Sequence, residues 1–419
     1  MSRRQDALAA RLRRVESRNV TYLADDFPIF WDCARGVRIR DVDGARYVDL
    51  TAAFGVASTG HANPRVVAAA AAQARRLAHG MGDVHPTAVR VALLERLAEI
   101  APRGLDKTFL ATTGSEAVEA ALKTAVLATG RTRFAAYRGA YHGLSLGTLG
   151  VGGIERFRRP FAAALGPEAL LLDFPDASSV DVGEAAQRAR DALGARRDIA
   201  ALLIEPIQGR AGCVVPPAGY LAAVRAICSE LGILMIADEI YTGFGRTGAW
   251  FAVDREGVVP DLLCLGKALG GGFPISATIG GSQVMDAWPL STGEALHTST
   301  YLGNPVGCAA ALAVINEMAR RRLPERAARL GLALGPRLEL LRRHPTVLAV
   351  RGCGLLWGVQ LRDAAVANSV VKRALAGGII LLQSGTNGDV VVISPPLVIG
   401  KRRLLHAIDV LEVAIAGAA

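Results

Sequence analysis

Two apolar stretches of the chain end in side chains of opposite charge. The first is Gly232-Ile233-Leu234-Met235-Ile236-Ala237-Asp238, and the second is Asp261-Leu262-Leu263-Cys264-Leu265-Gly266-Lys267. Continuous apolar runs of this length are typical of strands that are buried on both faces of a sheet. If both strands belong to one sheet, Asp238 and Lys267 emerge at its carboxyl edge, where the ligands of open α/β sheets collect.

Other apolar runs of strand length alternate with longer helical patterns through the middle of the chain. The predicted strands are 107–111, 133–137, 169–173, 200–204, 233–237, 262–265 and 275–280. The clearest predicted helices are 115–128 and 219–231, and Gly232 can end the second one in the left-handed conformation. This alternation predicts an α/β fold with a mostly parallel sheet that is covered by helices on both faces.

The chain contains few lysines, which narrows the choice of a reactive amine. Besides Lys267 they are Lys107, Lys123, Lys372 and Lys401. Those four fall beside strand, helix or turn patterns, where a solvated amine is the ordinary interpretation. A lysine can form a Schiff base with an aldehyde cofactor, and an aspartate can hold the proton on a pyridine nitrogen. Lys267 and Asp238 therefore predict covalently held pyridoxal phosphate; the alternative for Asp238 is a salt bridge to an arginine.

The composition argues against several other classes of protein. With 51% hydrophobic residues among 419, the chain is long and apolar enough to fold as a globular protein. Its net charge is +10, but the arginines are scattered and clusters such as 320–322 are short. We therefore expect solvated helix faces and no nucleic-acid binding. Since no apolar run reaches membrane-spanning length, we also expect no membrane association.

The cysteines bear on metal binding and on the compartment. Their positions are 33, 213, 228, 264, 308 and 353, without any CxxC spacing. This spacing predicts no metal site and no dithiol, and most of these residues read as small buried side chains in a reducing environment. No signal-type apolar core follows residues 1–6, so we expect a cytoplasmic protein.

A second group of strand patterns suggests how the chain is divided. An Ala-rich helical stretch follows Gly303-Asn304-Pro305, and strand patterns return around 347–361 and 390–394. We predict an N-terminal arm that packs with the small domain, a large cofactor-binding domain and a smaller C-terminal α+β domain. Their predicted ranges are 1–45, 46–309 and 310–419.

Two short segments at the predicted carboxyl edge are candidates for contacts with the cofactor. The turn around Gly114 and Ser115 precedes a helix, where unpaired N–H groups and the helix dipole suit a phosphate; an ordinary helix cap is the alternative. Tyr141-His142-Gly143 follows the strand 133–137. Tyr141 is placed to stack on a planar ring and His142 to act as an acid or base. A tyrosine packed on a loop and a histidine bonded to backbone are the alternatives.

Several longer motifs together resemble those of the class III aminotransferases, which have the pyridoxal-phosphate fold called type I. The resemblance runs from about Gly36 to near the C-terminus, and its most specific motif is the run 238–248, Asp-Glu-Ile-Tyr-Thr-Gly-Phe-Gly-Arg-Thr-Gly. The other matching segments are 41–44, 47–49, 60–64, 114–117, 141–143, 205–209, Lys267 and 300–305.

The resemblance implies a role for each matching residue. Its cofactor-binding set is Gly114, Ser115, Tyr141, His142, Glu205, Asp238, Ile240, Lys267 and Thr300. Lys267 would bond the cofactor and then move a proton as the catalytic base, and Asp238 would hold the pyridinium. The phosphate would lie on residues 114–115, and the ring would lie between the side chains at 141 and 240. Thr300 would reach the phosphate held by a neighbouring subunit, which implies a homodimer with shared active sites.

Three positions depart from the family pattern. Tyr241 stands where relatives often have a glutamine that contacts the ring hydroxyl. Val392 stands where relatives acting on α-carboxylates commonly have an arginine, three residues before Pro395-Pro396-Leu397. Arg210 stands where glutamate is frequent, and it is a candidate for binding a substrate carboxylate. An exposed arginine without such a role is the alternative.

The resemblance implies an enzyme that transfers an amino group from an amine or an ω-amino acid, similar to 4-aminobutyrate, to a 2-oxo acid. The reaction would run in two half-reactions through pyridoxamine phosphate. A racemase or epimerase on the same fold is the second hypothesis, because both chemistries can begin with removal of an α-proton. A non-catalytic binding protein that kept the fold is the third.

Overall fold

The computed structural model describes residues 2–24 and 27–418. Its strands are β1 Trp31–Arg35, β2 Arg38–Asp41, β3 Arg46–Asp49, β4 Lys107–Ala111, β5 Arg133–Tyr137, β6 Leu170–Leu172, β7 Ile199–Ile204, β8 Leu234–Asp238, β9 Leu262–Leu265, β10 Ser276–Gly280, β11 Val347–Cys353, β12 Leu356–Leu361, β13 Ile379–Ile380, β14 Leu382–Ser384 and β15 Val390–Ile393. Its helices are α1 Arg3–Val15, α2 Ala52–Gly55, α3 Pro64–Arg76, α4 Ala88–Ile100, α5 Gly114–Thr129, α6 Leu146–Gly150, α7 Glu155–Arg158, α8 Val182–Gly194, α9 Tyr220–Leu231, α10 Ser282–Met285, α11 Pro305–Arg321, α12 Leu323–Glu339, α13 Ala364–Ala376 and α14 Lys401–Ala416. Among the helices of the described residues, none is both long and apolar enough to cross a membrane.

The main sheet has the order β4-β10-β9-β8-β7-β5-β6. Strands β9, β8, β7, β5 and β6 are parallel neighbours, and β10 is antiparallel to β4 and β9. The seven strands predicted from the sequence are these seven, with bounds that differ by at most one residue at either end. The predicted α/β fold with a mostly parallel sheet is therefore confirmed.

Helices cover both faces of this sheet, and each central strand buries alternate residues on each face. On one face, α5 packs across β4, β9 and β10, with Ile236 and Cys264 in the core beneath it. On the other face, Met235 and Leu263 belong to the larger core, beneath α8 and α9. Because β8 and β9 are buried on both sides, their sequences are continuously apolar. The polar residues that follow these strands therefore mark the edge of the sheet.

The predicted helices are present, and their ends follow local chemistry. Helix α5 begins with a capping box: the side chain of Thr113 accepts the backbone N–H of Glu116, and the side chain of Glu116 accepts the backbone N–H of Thr113. Helix α9 ends at Gly232, whose φ of 60° lies in the left-handed region as predicted. The cap at Thr113 fixes where the first turn of α5 meets the carboxyl edge of the main sheet.

Two smaller sheets involve the C-terminal part of the chain. One has the antiparallel order β11-β12-β15-β14, and the other joins β1, β2 and β3 to β13, which pairs with β3 in parallel. The N-terminal strands thus share a sheet with a C-terminal strand. The domain bounds at 45 and 309 remain predictions. Met1, Asp25 and Asp26 of the predicted arm, and Ala419 of the predicted small domain, lie outside the described residues.

Candidate active site

A cavity of about 460 Å³ lies at the carboxyl edge of the main sheet. The sequence-predicted residues that line it are Gly114, Ser115, Tyr141, His142, Glu205, Arg210, Asp238, Ile240 and Lys267. They come from the segments that follow β4, β5, β7, β8 and β9. The parallel strands thus bring five distant parts of the chain to one place. Thr300 is exposed and is not part of the lining of this cavity.

Asp238 is the last residue of β8 and is held by two hydrogen bonds. Its Oδ2 lies 2.7 Å from Nδ1 of His142, and its Oδ1 accepts the backbone N–H of Ile240 at 3.1 Å. Both side chains of the Asp238–His142 pair are buried. Among the described residues, the ionisable partner of Asp238 is this imidazole and not an arginine.

His142 has one nitrogen that remains unpaired. Its Nε2 is buried and has no hydrogen-bond partner among the described residues. A buried polar atom without a partner is costly, and such atoms in native proteins are uncommon away from sites that bind ions, water or ligands. The imidazole is therefore fixed by Asp238 on one side and open to a further polar contact on the other.

Lys267 lies two residues beyond β9, in a strained backbone conformation. Its φ of 42° is in the left-handed region, which is uncommon for residues other than glycine and often accompanies a functional site. Burial lowers the pKa of its amine, and the carboxylates of Asp238 and Glu205 act in the opposite direction. A larger neutral fraction of the amine near pH 7 favours attack on an aldehyde.

The first turn of α5 is shaped by close contacts that only glycine allows. A Cβ at Gly114 would lie 2.9 Å from Cδ1 of Ile240, and a Cβ at Gly143 would overlap Oγ of Ser115. The first N–H groups of a helix have no partner within the helix. The turn therefore offers backbone donors and the Ser115 hydroxyl at one end of the cavity, with Ile240 packed tightly beside it.

Glu205 connects two loops of the cavity. Its Oε1 accepts the backbone N–H of Tyr141 at 2.9 Å, and its Oε2 accepts that of Gly209 at 3.1 Å. Burial raises the pKa of Glu205 to about 7; His142 lowers it and Asp238 raises it. Its observed contacts are with the backbone, so Glu205 fixes the loops that carry Tyr141 and Arg210.

Arg210 follows β7 and lies in the wall of the cavity that includes β14. Its Nη1 donates to Oγ of Ser384 at 3.0 Å, and the Ser384 hydroxyl donates to the Arg210 carbonyl at 2.9 Å. Burial, followed by the positive charge of Arg156, lowers the pKa of Arg210. In the part of the chain that the structure describes, no carboxylate forms an ion pair with this guanidinium. A half-buried cation without a counter-ion is suited to bind an anionic group.

The two other departures from the family pattern also lie in this wall. Val392 of β15 is buried and lines the cavity. Tyr241 donates its hydroxyl to Oγ of Ser394 at 2.9 Å, and the amine of Lys267 lies 4.6 Å from the centroid of its ring. At the position where relatives often have an amide, this chain therefore presents an aromatic face to Lys267.

Several cavity-lining residues were not predicted from the sequence. They are Phe54, Phe157, Leu382, Gln383 and Ser384. Phe54 belongs to a left-handed turn and Phe157 to the short helix α7, while the other three form β14. None follows a strand of the main sheet or belongs to one of the quoted motifs. The pairing of β14 with β15 brings residues 382–384 to the cavity, and no local sequence signal indicates this.

The residues of the cavity fit the cofactor that the sequence predicts. Asp238 offers a buried carboxylate that a positively charged ring nitrogen can pair with, and Lys267 offers an amine in the same cavity. The turn at 114–115 provides the donors that a phosphate requires. Tyr141 and Ile240 provide an aromatic and an aliphatic surface for a flat ring. Within the described residues, no group of three or more His, Cys, Asp or Glu side chains is placed to hold a metal ion.

Comparisons with known proteins agree with this arrangement. The family described as "Aminotransferase class-III" matches residues 21–415. A putrescine aminotransferase of Pectobacterium atrosepticum is 38% identical over 94% of this chain and 85% of its own length. An acetylornithine aminotransferase of Methanopyrus kandleri is 39% identical, over 91% and 93%. A 5-aminovalerate aminotransferase of Pseudomonas putida is 38% identical, over 88% and 89%.

Solved structures with the same fold include an amine transaminase from an uncultivated Pseudomonas species in its form with bound pyridoxal phosphate. It superposes with a TM-score of 0.90 at 32% identity, and the match covers 97% of this chain and 99% of that one.

Proposed function

The chain belongs to the class III aminotransferases, which are pyridoxal-phosphate-dependent enzymes, and we propose that it takes the amino group from a terminal amine or an ω-amino acid and passes it to a 2-oxo acid. The observation that carries this proposal is the joint presence of Lys267, the Asp238–His142 pair and an unpaired Arg210 in one cavity. Lys267, Asp238 and His142 serve the cofactor and the proton transfer, and Arg210 can bind a substrate carboxylate.

The preferred amino donor is inferred from the wall of the cavity and from the relatives. Putrescine and 5-aminovalerate, named for two of the relatives, both end in a primary amine, and the structural neighbour is an amine transaminase. Val392 gives this wall an apolar surface where relatives acting on α-carboxylates commonly have arginine. A donor that has no carboxylate on the carbon bearing its amine suits that surface, because an α-carboxylate there would have no charged partner and would be poorly solvated.

Arg210 is the proposed contact for the carboxylate of the oxo acid, and for that of an ω-amino acid donor. Its guanidinium is already oriented by Ser384, so less conformational freedom is lost when a carboxylate binds. Since Arg210 has no carboxylate partner in the described chain, a substrate carboxylate would not have to displace one.

Pyridoxal phosphate, when bound, supplies an electron sink that makes the carbon bearing the amino group acidic. The residues proposed to hold it are Gly114 and Ser115 at the phosphate, Tyr141 and Ile240 at the ring faces, and Asp238 at the ring nitrogen. The hydrogen bond to His142 fixes the Asp238 carboxylate, so that its charge is aimed at one point. Burial makes that charge effective, because little water competes for it.

Lys267 is the proposed carrier of the proton. Its amine has a lowered pKa, so a neutral Nζ is available to take a proton from the carbon that bears the amino group. The resulting ammonium of Lys267 would then hold that proton in the cavity and release it there, and bound pyridoxal phosphate would supply the acceptor. Asp238 and Glu205 favour the charged form, and burial favours the neutral form. This opposition suits a group that must gain and lose a proton in each cycle.

We also propose a homodimer with shared active sites. Thr300 lies outside the cavity of its own chain, so a contact with bound phosphate would have to come from a second copy. Large apolar side chains on either side of it are exposed, with exposed fractions of 94% for Leu290, 71% for Leu296 and 60% for Tyr301. Clustered exposed apolar residues of this kind favour a protein interface.

Mixed dimers would test this arrangement. Lys267→Ala and Thr300→Ala homodimers should both be impaired, whereas a dimer with one chain of each kind should contain one intact site. Recovery of activity in the mixed sample supports the shared site. Mass measurement by light scattering supplies the control, and a monomeric active protein would exclude the proposal.

A reducing, cytoplasmic location is proposed from the cysteines alone. The described residues contain six free thiols, and Cys213, Cys228, Cys264 and Cys308 are buried. Burial raises the pKa of Cys213 and of Cys228 to about 12, which makes both thiols unreactive.

A panel of substrates tests the proposed reaction. Terminal diamines, ω-amino acids and α-amino acids would each be paired with pyruvate and with 2-oxoglutarate, and the transferred nitrogen would be measured. Terminal amines should turn over repeatedly only when an oxo acid is present, because without one each site can complete only the first half-reaction. Inversion of an α-amino acid without any oxo acid would instead favour a racemase, for which none of the relatives reported above provides support.

A further inference from the structure

Tyr241 occupies a slot that fixes the orientation of its ring. A Cβ at Gly55 would lie 2.8 Å from Cε2 of the ring, and a Cβ at Gly209 would lie 2.8 Å from Cε1. The two glycines therefore close on opposite edges of the ring, and neither position has room for a side chain. The slot brings one face of the ring towards the Lys267 amine.

The hydroxyl of Tyr241 forms its hydrogen bond with Ser394. It donates to Oγ of Ser394 at 2.9 Å, and Ser394 donates to the carbonyl of Thr51 at 3.3 Å. Burial raises the pKa of Tyr241 to about 12, so the phenol stays neutral at working pH. Tyr241 is therefore poorly suited to exchange protons, and its contact with Lys267 is made by the ring.

The amine of Lys267 lies over this ring, with Nζ 4.6 Å from the centroid. At this distance an ammonium group is attracted by the negative face of the ring, and the attraction grows when water is excluded. A neutral amine gains much less. The contact therefore distinguishes between the two protonation states of the residue that we propose as the proton carrier.

We propose that Tyr241 is a positioning residue for Lys267: its ring receives the amine whenever that amine is free and stabilises its protonated form between the two proton transfers. This inference rests on the role proposed above for Lys267. It also assigns a function to the position at which this chain departs from the glutamine of its relatives. Where glutamine would make a polar contact with the cofactor, the ring of Tyr241 contacts Lys267 instead.

Other groups around the amine act on the same equilibrium. The carboxylates of Asp238 and Glu205 favour the ammonium form, while burial opposes it. His142 forms a hydrogen bond with the Asp238 carboxylate and holds it in place. A test of Tyr241 must therefore compare variants in which these three side chains are unchanged.

The experiment is an NMR titration of Lys267 in the full-length protein. Because the chain has only five lysines, labelling lysine with ¹³C at Cε gives a spectrum of five signals. A Lys267→Met variant assigns the signal of interest. The titration would be run without cofactor and again with pyridoxamine phosphate added, since the amine is not bonded to the cofactor in either sample.

The proposal predicts that Tyr241→Leu lowers the pKa of Lys267 by roughly 0.4 to 1.5, the range of a cation–π contact. Tyr241→Phe and Ser394→Ala should leave it unchanged, because both keep the ring. Tyr241→Gln, which restores the residue frequent in relatives, should behave as Tyr241→Leu and replaces it if the leucine variant fails to fold. Thermal melting would be recorded for every variant.

An unchanged pKa in both Tyr241→Leu and Tyr241→Gln would overturn the proposal. So would a decrease in Tyr241→Phe equal to that in Tyr241→Leu, since the hydroxyl rather than the ring would then be responsible. These outcomes do not depend on turnover. Failure of the proposed function would instead appear as a cofactor bonded to another lysine, whatever the titration shows.

Discussion

The active-site cavity has two unlike sides. The cofactor edge consists of Gly114, Ser115, His142, Asp238 and Lys267, which end or follow strands β4, β5, β8 and β9 of the main sheet. The substrate wall consists of Arg210 and Tyr241, from the loops after β7 and β8, and of Ser384 and Val392, from the sheet β11-β12-β15-β14. Every residue of the cofactor edge falls in a motif that resembles those of the family. The substrate wall departs from that pattern at residues 210, 241 and 392.

This difference follows from how each side is supported. Residues of the cofactor edge lie at the ends of buried strands and of helix α5. A displacement of one of these residues would therefore disturb the packing of the core. The substrate wall joins the loops after β7 and β8 to strands β14 and β15 through individual contacts, such as the hydrogen bonds that join Arg210 to Ser384. Such contacts can change one at a time. We infer that the chemistry is set by the first side and the choice of substrate by the second.

The largest effect is expected at the cofactor edge for Lys267→Ala. This change removes both the amine that bonds the cofactor and the carrier of the proton, and should lower kcat by about 10⁴-fold or more. Lys401→Ala, at the exposed start of α14, is the matched control and should behave as the wild type. Steady-state rates with one good substrate pair would decide; residual activity within tenfold of the wild type would remove Lys267 from the mechanism.

A smaller loss, of about 10²- to 10³-fold in kcat, is expected for Asp238→Asn, because a neutral amide no longer stabilises a positive ring nitrogen. His142→Asn should cost less, since it keeps the carboxylate and removes only the partner that orients it. Cofactor affinity and kcat would be measured for both variants. The prediction fails if the His142 variant loses as much as the Asp238 variant.

At the substrate wall, Arg210→Ala should raise KM for carboxylate-bearing substrates by about 10- to 100-fold, the range for a hydrogen bond to a charged group. The KM of a diamine should remain unchanged, because it carries no carboxylate. Arg210→Lys keeps the positive charge but lacks the paired N–H donors of the guanidinium, so the KM of this variant should be intermediate. Equal changes for the diamine and the carboxylate substrates would indicate a structural role instead.

Glu205 joins the two sides, and its titration should appear in the stability of the protein. The pKa of its buried carboxyl is raised from 4.5 to about 7, so the folded protein holds this proton more tightly than the unfolded chain. The stabilisation is present below about pH 4.5 and is lost as the pH rises towards 7, by up to about 3 kcal/mol. Glu205→Gln should therefore reduce the fall of Tm between pH 5 and 7.

Glu239→Gln is the matched control for this change. Burial also raises the pKa of Glu239 to about 7, but its oxygens accept from Thr242 and Val253, outside the cavity. Both variants should flatten the pH dependence of Tm. Only Glu205→Gln should also raise KM for carboxylate substrates, because its amide cannot accept both N–H groups. An unaltered Tm profile in both variants would contradict the raised pKa values.

The smallest effect is expected for Ser384→Ala. It removes one hydrogen bond to the Arg210 guanidinium and should raise KM for carboxylate substrates roughly threefold, with kcat unchanged. Ser384→Thr keeps the hydroxyl and serves as the control. A drop in kcat without a change in KM would show that Ser384 does not act through Arg210.

The sequence predicts that the residues of the cofactor edge meet in one cavity, because the signals for their positions are local. Strands β8 and β9 are buried on both faces and are therefore continuously apolar, so the charged residues after them are easily recognised. The glycines at 114 and 143 likewise mark places where a side chain would collide with a neighbour. The family to which these motifs belong was recognised from the same residues.

The sequence does not reveal how distant segments meet. Ser384, Phe54 and Phe157 enter the cavity through sheet pairing and loop packing, without a motif of their own. The direction of a carboxylate is also not encoded locally: Glu205 lines the cavity and its observed hydrogen bonds are with two backbone N–H groups, while its contact with the cofactor stays a prediction. The contact of Tyr241 with Lys267 could not be predicted for both reasons, because it depends on how two distant segments meet and on where each side chain points.

The most direct test of the account is to locate the bond between the protein and its cofactor. The enzyme would be loaded with pyridoxal phosphate, reduced with borohydride and digested, and the labelled peptide would be identified by mass spectrometry. We predict a single labelled residue, Lys267. A label on Lys107, Lys123, Lys372 or Lys401, or no label at all, would contradict the assignment of the cofactor edge.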